Sequence, residues 1–163
     1  MDWKTGYLRQ AKSDYALFLR LGTLDDVPLC HRLRYLQMAT EKLAKFYLAP
    51  SDGTAFRNTH RIFADFVHVA KGMTGIRRQL RMETHHVAYL AFLRAVEPLA
   101  LQVQNLSPEG DHRPNPEYPW QDDTGQVLSP LDYPFSDLQP TRNVNLQKLL
   151  RFIEACLRKA GGG

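Results

Sequence analysis

The stretch Leu29 to Leu48, LCHRLRYLQMATEKLAKFYL, constrains this chain most, because its apolar residues repeat at helical and not at strand spacing. Leu29, Leu33, Leu36, Leu43, Phe46 and Tyr47 recur at steps of three, four and seven, which gathers them on one side of a helix. Most of the stability of such a stripe comes from packing it on other elements, so further helices are required to bury it. Arg32, Arg34, Gln37, Glu41, Lys42 and Lys45 take the other faces and read as the polar side. Pro28 suits a first helical position, and Pro50 closes the far end after Ala49.

The partners are legible on either side. Leu8, Ala11, Tyr15, Phe18 and Leu19 predict a helix over Gly6 to Leu21, ended by Gly22. After the loop 50–54, Asn58 or Thr59 can cap a third helix carrying Ile62, Phe63, Phe66, Val67 and Ala70 as far as Gly72. A basic segment, Ile76 to Met82, leads into a fourth helical region with Val87, Leu90, Ala91, Leu93 and Ala95. Pro98 is expected to kink or restart that region, leaving Leu99 to Leu106 as a last turn or two. The final helix, Asn143 to Lys159, carries Val144, Leu146, Leu149, Leu150, Ile153 and Leu157. Before it lies 107–141, with seven of the ten prolines and the large aromatics Tyr118, Trp120, Tyr133 and Phe135. So large an apolar load argues for an ordered flap and against a linker, and Asp123-Thr124-Gly125 can turn a small hairpin. The expected architecture is one all-α domain over 1–163, an up-and-down helical bundle with a long Pro/aromatic-rich flap before the last helix. Leu33, Leu36, Leu43, Phe66, Leu90, Leu149 and Ile153 are its expected core.

Composition narrows the function classes. The 163 residues suffice for one core that buries about two thirds of the unfolded surface without staples. No apolar run approaches the ~18 to 20 residues that span a bilayer, so no membrane partner is expected. The N-terminus has polar residues where a signal peptide would carry its apolar segment, so a cytoplasmic location is expected. Cys30 and Cys156 read as buried core thiols and neither as a disulfide framework nor as a zinc site. A net charge of +4 permits an anionic partner, yet 21 basic against 17 acidic residues do not demand one.

The run Gln37 to Lys42, Q-M-A-T-E-K, followed after a short loop by Thr59-His60 opening the next helix, resembles the HEPN family of small helical bundles. The motif residues are Gln37, Glu41, Lys42, Thr59 and His60. The resemblance implies an all-α bundle that forms homodimers, pairs with a minimal nucleotidyltransferase in toxin-antitoxin systems, and acts on nucleotide or RNA. It also implies that active members are metal-independent ribonucleases using an arginine, a polar residue after it, and a histidine four to six residues on. Many nucleotidyltransferase-associated members carry an Arg-Tyr-Pro segment before the last helix. Its counterpart here, within Asn115 to Trp120, is Glu117-Tyr118-Pro119 followed by Trp120, so Glu117 stands where the arginine would be.

An arginine beside a scissile phosphate offers a fixed cationic fork, whereas a carboxylate repels the phosphate. The expected function is therefore a non-catalytic HEPN-like module that works by dimerisation and by binding a nucleotidyltransferase, a nucleotide or RNA, with no cofactor. The alternative is a ribonuclease in which Arg61 with His68, or Arg81 with His86, supplies the pair. Arg77, Arg78 and Arg81, with His85 and His86 close by, form the best candidate phosphate site. A further alternative is a metal-binding helical-bundle oxidoreductase. Asp65 with His68 and Glu83 with His86 stand at i and i+3 on shared helix faces, with Glu41 and Glu97 as completing carboxylates.

Overall fold

A computed structural model describes residues 1–50, 54, 62–107, 113–139 and 143–161. Among them are six α-helices and one two-stranded sheet, which make the chain an all-α helical bundle. The helices are α1 (Trp3–Leu21), α2 (Leu29–Leu48), α3 (Phe63–Ala70), α4 (Thr74–Gln79), α5 (His86–Gln104) and α6 (Val144–Gly161).

Helix α1 starts earlier than its apolar pattern indicates, because the Asp2 carboxylate accepts the Thr5 N–H at 2.7 Å and caps the first turn. That bond holds the Asp2 carboxyl below the usual carboxylate range. Helix α2 begins at Leu29, with Pro28 as its cap residue, and ends at Leu48. It is the central helix: α1, α3, α5 and α6 all pack on it. Of its apolar stripe, Leu33, Leu36 and Leu43 are fully inaccessible, while Leu29, Phe46 and Tyr47 are half-buried. The expected polar side is only partly solvated: Arg34 is exposed and Arg32 and Lys42 are half-buried, but Gln37, Glu41 and Lys45 are buried. Periodicity identifies only the most apolar face, and a helix with neighbours on several sides buries more than that one.

Helix α5 corrects the sequence reading twice. It runs unbroken through Pro98. Proline's φ is compatible with a helix, and both Pro98 and the residue four before it, Arg94, lie on the exposed side. The carbonyl that loses its N–H partner is thus within reach of water. The second correction is register. Tyr89, Phe92, Leu93, Val96, Leu99, Ala100 and Val103 form the buried face, while Val87 and Ala91 are exposed and Leu90 is half-buried. Stopping the pattern at Pro98 removes Leu99, Ala100 and Val103, the residues that set its phase. The Tyr89 hydroxyl is satisfied by the Ala70 carbonyl at 2.6 Å, tying α5 to the end of α3. The Gln104 side-chain oxygen accepts the Ala64 N–H at 3.0 Å near the other end of the same pair.

Helix α6 packs on α4 and α5 and buries Leu146, Leu149, Phe152, Ile153, Ala155 and Cys156. Val144 is exposed, and Leu150 and Leu157 are half-buried. Cys30 and Cys156 are both buried free thiols, and burial pushes the Cys156 thiol well above its ordinary range.

Within the flap, β1 (Trp120–Gln121) pairs antiparallel with β2 (Val127–Leu128), Trp120 opposite Leu128. The Asp122 carboxylate builds the turn by accepting the Thr124 hydroxyl and the Thr124 and Gln126 N–H groups, which holds its carboxyl below the usual range. Gly125 has φ of +87°, a conformation that glycine adopts without a Cβ clash. Trp120 and Phe135 are buried, Tyr133 is half-buried, and the three rings meet at centroid distances of 4.9 to 6.5 Å. A 3-10 turn, Ser136–Leu138, then seats the flap against α5.

Candidate phosphate-binding corner

The best-built polar surface in the described chain lies where α4 ends and α5 begins. Helix α4 stops through a left-handed residue: Arg81 has φ of +58°, the Arg81 N–H donates to the Arg78 carbonyl at 2.9 Å, and the Met82 N–H reaches back to the Arg77 carbonyl at 3.1 Å. These two bonds define a Schellman stop, in which the left-handed position ordinarily belongs to glycine. An arginine there costs about 1 to 2 kcal/mol of backbone strain.

The strained turn groups the basic residues. Arg77 donates from Nη1 to Nδ1 of His86 at 2.9 Å, joining α4 to the first turn of α5. Arg78, Arg81, His85 and His86 are exposed around it. Arg151 of α6 donates to the Leu80 carbonyl at 2.9 Å and packs its guanidinium over Phe92, adding a cation that sequence spacing did not associate with this corner. Between residues 72 and 96 the only acidic residue is Glu83. The result is an exposed positive surface with two guanidinium groups, on Arg78 and Arg81, that no carboxylate neutralises among the described residues.

The expected catalytic pairs fare differently. Arg81 makes no bond to His86; Arg77 holds that histidine instead. His68 is exposed on α3 and lies 3.3 Å from Lys71, whose ammonium is paired to Glu97 at 2.5 Å. Arg61, Thr59 and His60 lie outside the described residues. The carboxylate and histidine set proposed for a metal is not brought together: Glu97 faces Lys71, Glu41 is buried with Lys45, and no group of three or more His, Cys, Asp or Glu with metal-binding placement exists among the described residues.

The Q-M-A-T-E-K residues are structural in character. Gln37 donates to Glu41 at 3.3 Å, and Lys45 donates to Glu41 at 2.6 Å. Lys42 lies 3.0 Å from the buried Asp14 of α1, whose other oxygen accepts from Gln10 at 2.9 Å. The Asp14 Oδ2 has no hydrogen bond of good geometry, so its attraction to Lys42 is chiefly coulombic. Asp14 could not be recognised from sequence as this partner, since an acid on an amphipathic helix reads as solvated.

Glu117 is likewise paired: Arg34 of α2 approaches it to 3.3 Å. The Asn115 side-chain oxygen accepts the Glu117 and Tyr118 N–H groups at 3.0 and 2.7 Å and fixes this segment as a tight turn. The carboxylate at the position of the expected arginine thus serves to pin the flap to α2. Tyr118 and Pro119 are exposed beside it, and Trp120 is buried.

The fold and this corner define a class, an all-α bundle with a basic, solvent-facing surface patch. No family model matches the chain, and neither the curated proteins nor the solved structures contain a match. Among the described residues no helix is long and apolar enough to cross a membrane.

Proposed function

We propose that this chain is a non-catalytic, HEPN-like binding module whose α4–α5 corner holds the phosphates of RNA or of a nucleotide. The observation that carries the reading is Arg81: an arginine at a left-handed helix stop, where glycine would cost less, exposed beside Arg77 and Arg78. Strain retained at one surface residue is explained when the side chain has work that glycine cannot do. Arginine is suited to that work, since its planar fork makes paired bonds to phosphate oxygens. The proposal includes a homodimer and a nucleotidyltransferase partner, supported by the resemblance of the Gln37 to Lys42 and Thr59-His60 residues.

Fluorescence anisotropy of labelled single-stranded RNA over a range of salt concentrations tests the corner. Wild type is expected to bind with a negative salt slope, of about 0.7 per phosphate contacted. Replacing Arg77, Arg78 and Arg81 together by alanine is expected to flatten that slope. Equal affinity and slope in the triple variant would refute the reading.

The contact between Arg77 and His86 favours one second reading, a ribonuclease that uses this pair. It predicts RNA cleavage that His86→Ala removes while binding persists. On the preferred reading neither protein cleaves.

A further inference from the structure

The C-terminal half of α5 and the flap line an open cavity of about 240 Å³, separate from the α4–α5 corner. It is smaller than the roughly 300 Å³ at which sites for drug-sized ligands begin, so its size suits a small metabolite. Leu106, Phe135 and Leu138 give it an apolar floor, each no more than 5% exposed. Phe135 has φ of +41°, a left-handed conformation that bulky residues adopt only when their surroundings impose it. The Leu138 N–H donates to its carbonyl at 2.8 Å, and its ring stands edge-on to Tyr133, so strained backbone sets an aromatic wall of the cavity.

Two opposite charges share this cavity without neutralising each other. Arg113 forms no ion pair among the described residues, and the Asp137 carboxylate accepts a bond from the Gln102 amide at 3.3 Å. Both are exposed, which places them at the mouth above the apolar floor. A cation, an anion and an apolar floor complement a zwitterion with an apolar tail. Arg113 can take a carboxylate through two parallel N–H bonds, and Asp137 can accept an ammonium. The carboxamides of Gln102 and Asn105, which also line the cavity, supply further acceptors for the ammonium hydrogens.

We propose that the flap cavity binds a free α-amino acid with an apolar side chain of the leucine or phenylalanine type. This site is independent of the phosphate reading, and either can fail alone. Isothermal titration of the full chain with L-leucine and L-phenylalanine, their amides and their N-acetyl derivatives tests it. At least one of the two amino acids is expected to bind saturably. Its amide and its N-acetyl form are each expected to bind at least about tenfold more weakly, having lost one charge-assisted contact. Arg113→Met should abolish discrimination against the amide and keep that against the N-acetyl form. Asp137→Asn should do the reverse, with circular dichroism confirming that both variants fold. No saturable binding at millimolar amino acid, or equal binding of the singly charged derivatives, would overturn the proposal, and the derivatives decide even if a variant fails to fold.

Discussion

Arg81 and Tyr89 sit eight residues apart and illustrate opposite relations between a side chain and its backbone. At Arg81 the backbone is strained and the side chain is exposed. Arg81→Gly is therefore expected to raise stability by about 1 kcal/mol in urea unfolding, while RNA affinity falls. A loss of stability would mean that the arginine side chain holds the turn together. Tyr89 is fully buried, and burial pushes its phenol up to about 12. The folded state therefore keeps this proton more tightly than the unfolded chain, whose tyrosines ionise near pH 10. The stabilisation is fully present below about pH 10 and is lost as pH rises from there through about 12. Burial, followed by the nearby carboxylate of Glu154, raises Tyr15, and burial also raises Tyr47, so all three act in the same direction. Urea midpoints measured between pH 8 and 12 should fall across this window. Tyr89→Phe should flatten part of that fall and cost about 1 kcal/mol at neutral pH for the lost bond to Ala70.

At the scale of elements, α5 is the informative case. An interior proline costs about 3 kcal/mol relative to alanine in a helix. Since Pro98 is exposed in an unbroken helix, Pro98→Ala is expected to stabilise the protein by about 1 to 3 kcal/mol, read from the urea midpoint. Destabilisation would show that the helix needs the proline's geometry to follow the core. The flap behaves differently, because its order comes from side chains and not from a backbone ladder of any length. Trp120, Tyr133 and Phe135 pack on one another, Asp122 and Asn115 close its turns, and Glu117 ties it to Arg34. Of the four aromatics that argued for order in the sequence, Trp120, Tyr133 and Phe135 are the ones that pack, and Tyr118 is exposed. The ion pair across to α2 had no counterpart in the spacing of either residue.

For the whole molecule, the resemblance predicts association. Sedimentation velocity at micromolar concentrations is expected to give the mass of a dimer, and a monomer throughout that range would remove dimerisation from the proposed function. The all-α class, the helix over Leu29 to Leu48 and most of the apolar residues on α1, α2, α3 and α6 were determined by the sequence itself, because a 3.6-residue repeat acts through nearest neighbours on one helix. The register of α5 was also written there, but only for a reading that continues past Pro98. What only the tertiary structure decided is which polar residues meet. Asp14 with Lys42, Arg34 with Glu117, and Arg77 with His86 each join residues whose separation follows from helix packing, turn handedness or flap placement. Charge and polarity say that a group needs a partner or water; the direction in which neighbouring elements cross determines which it receives.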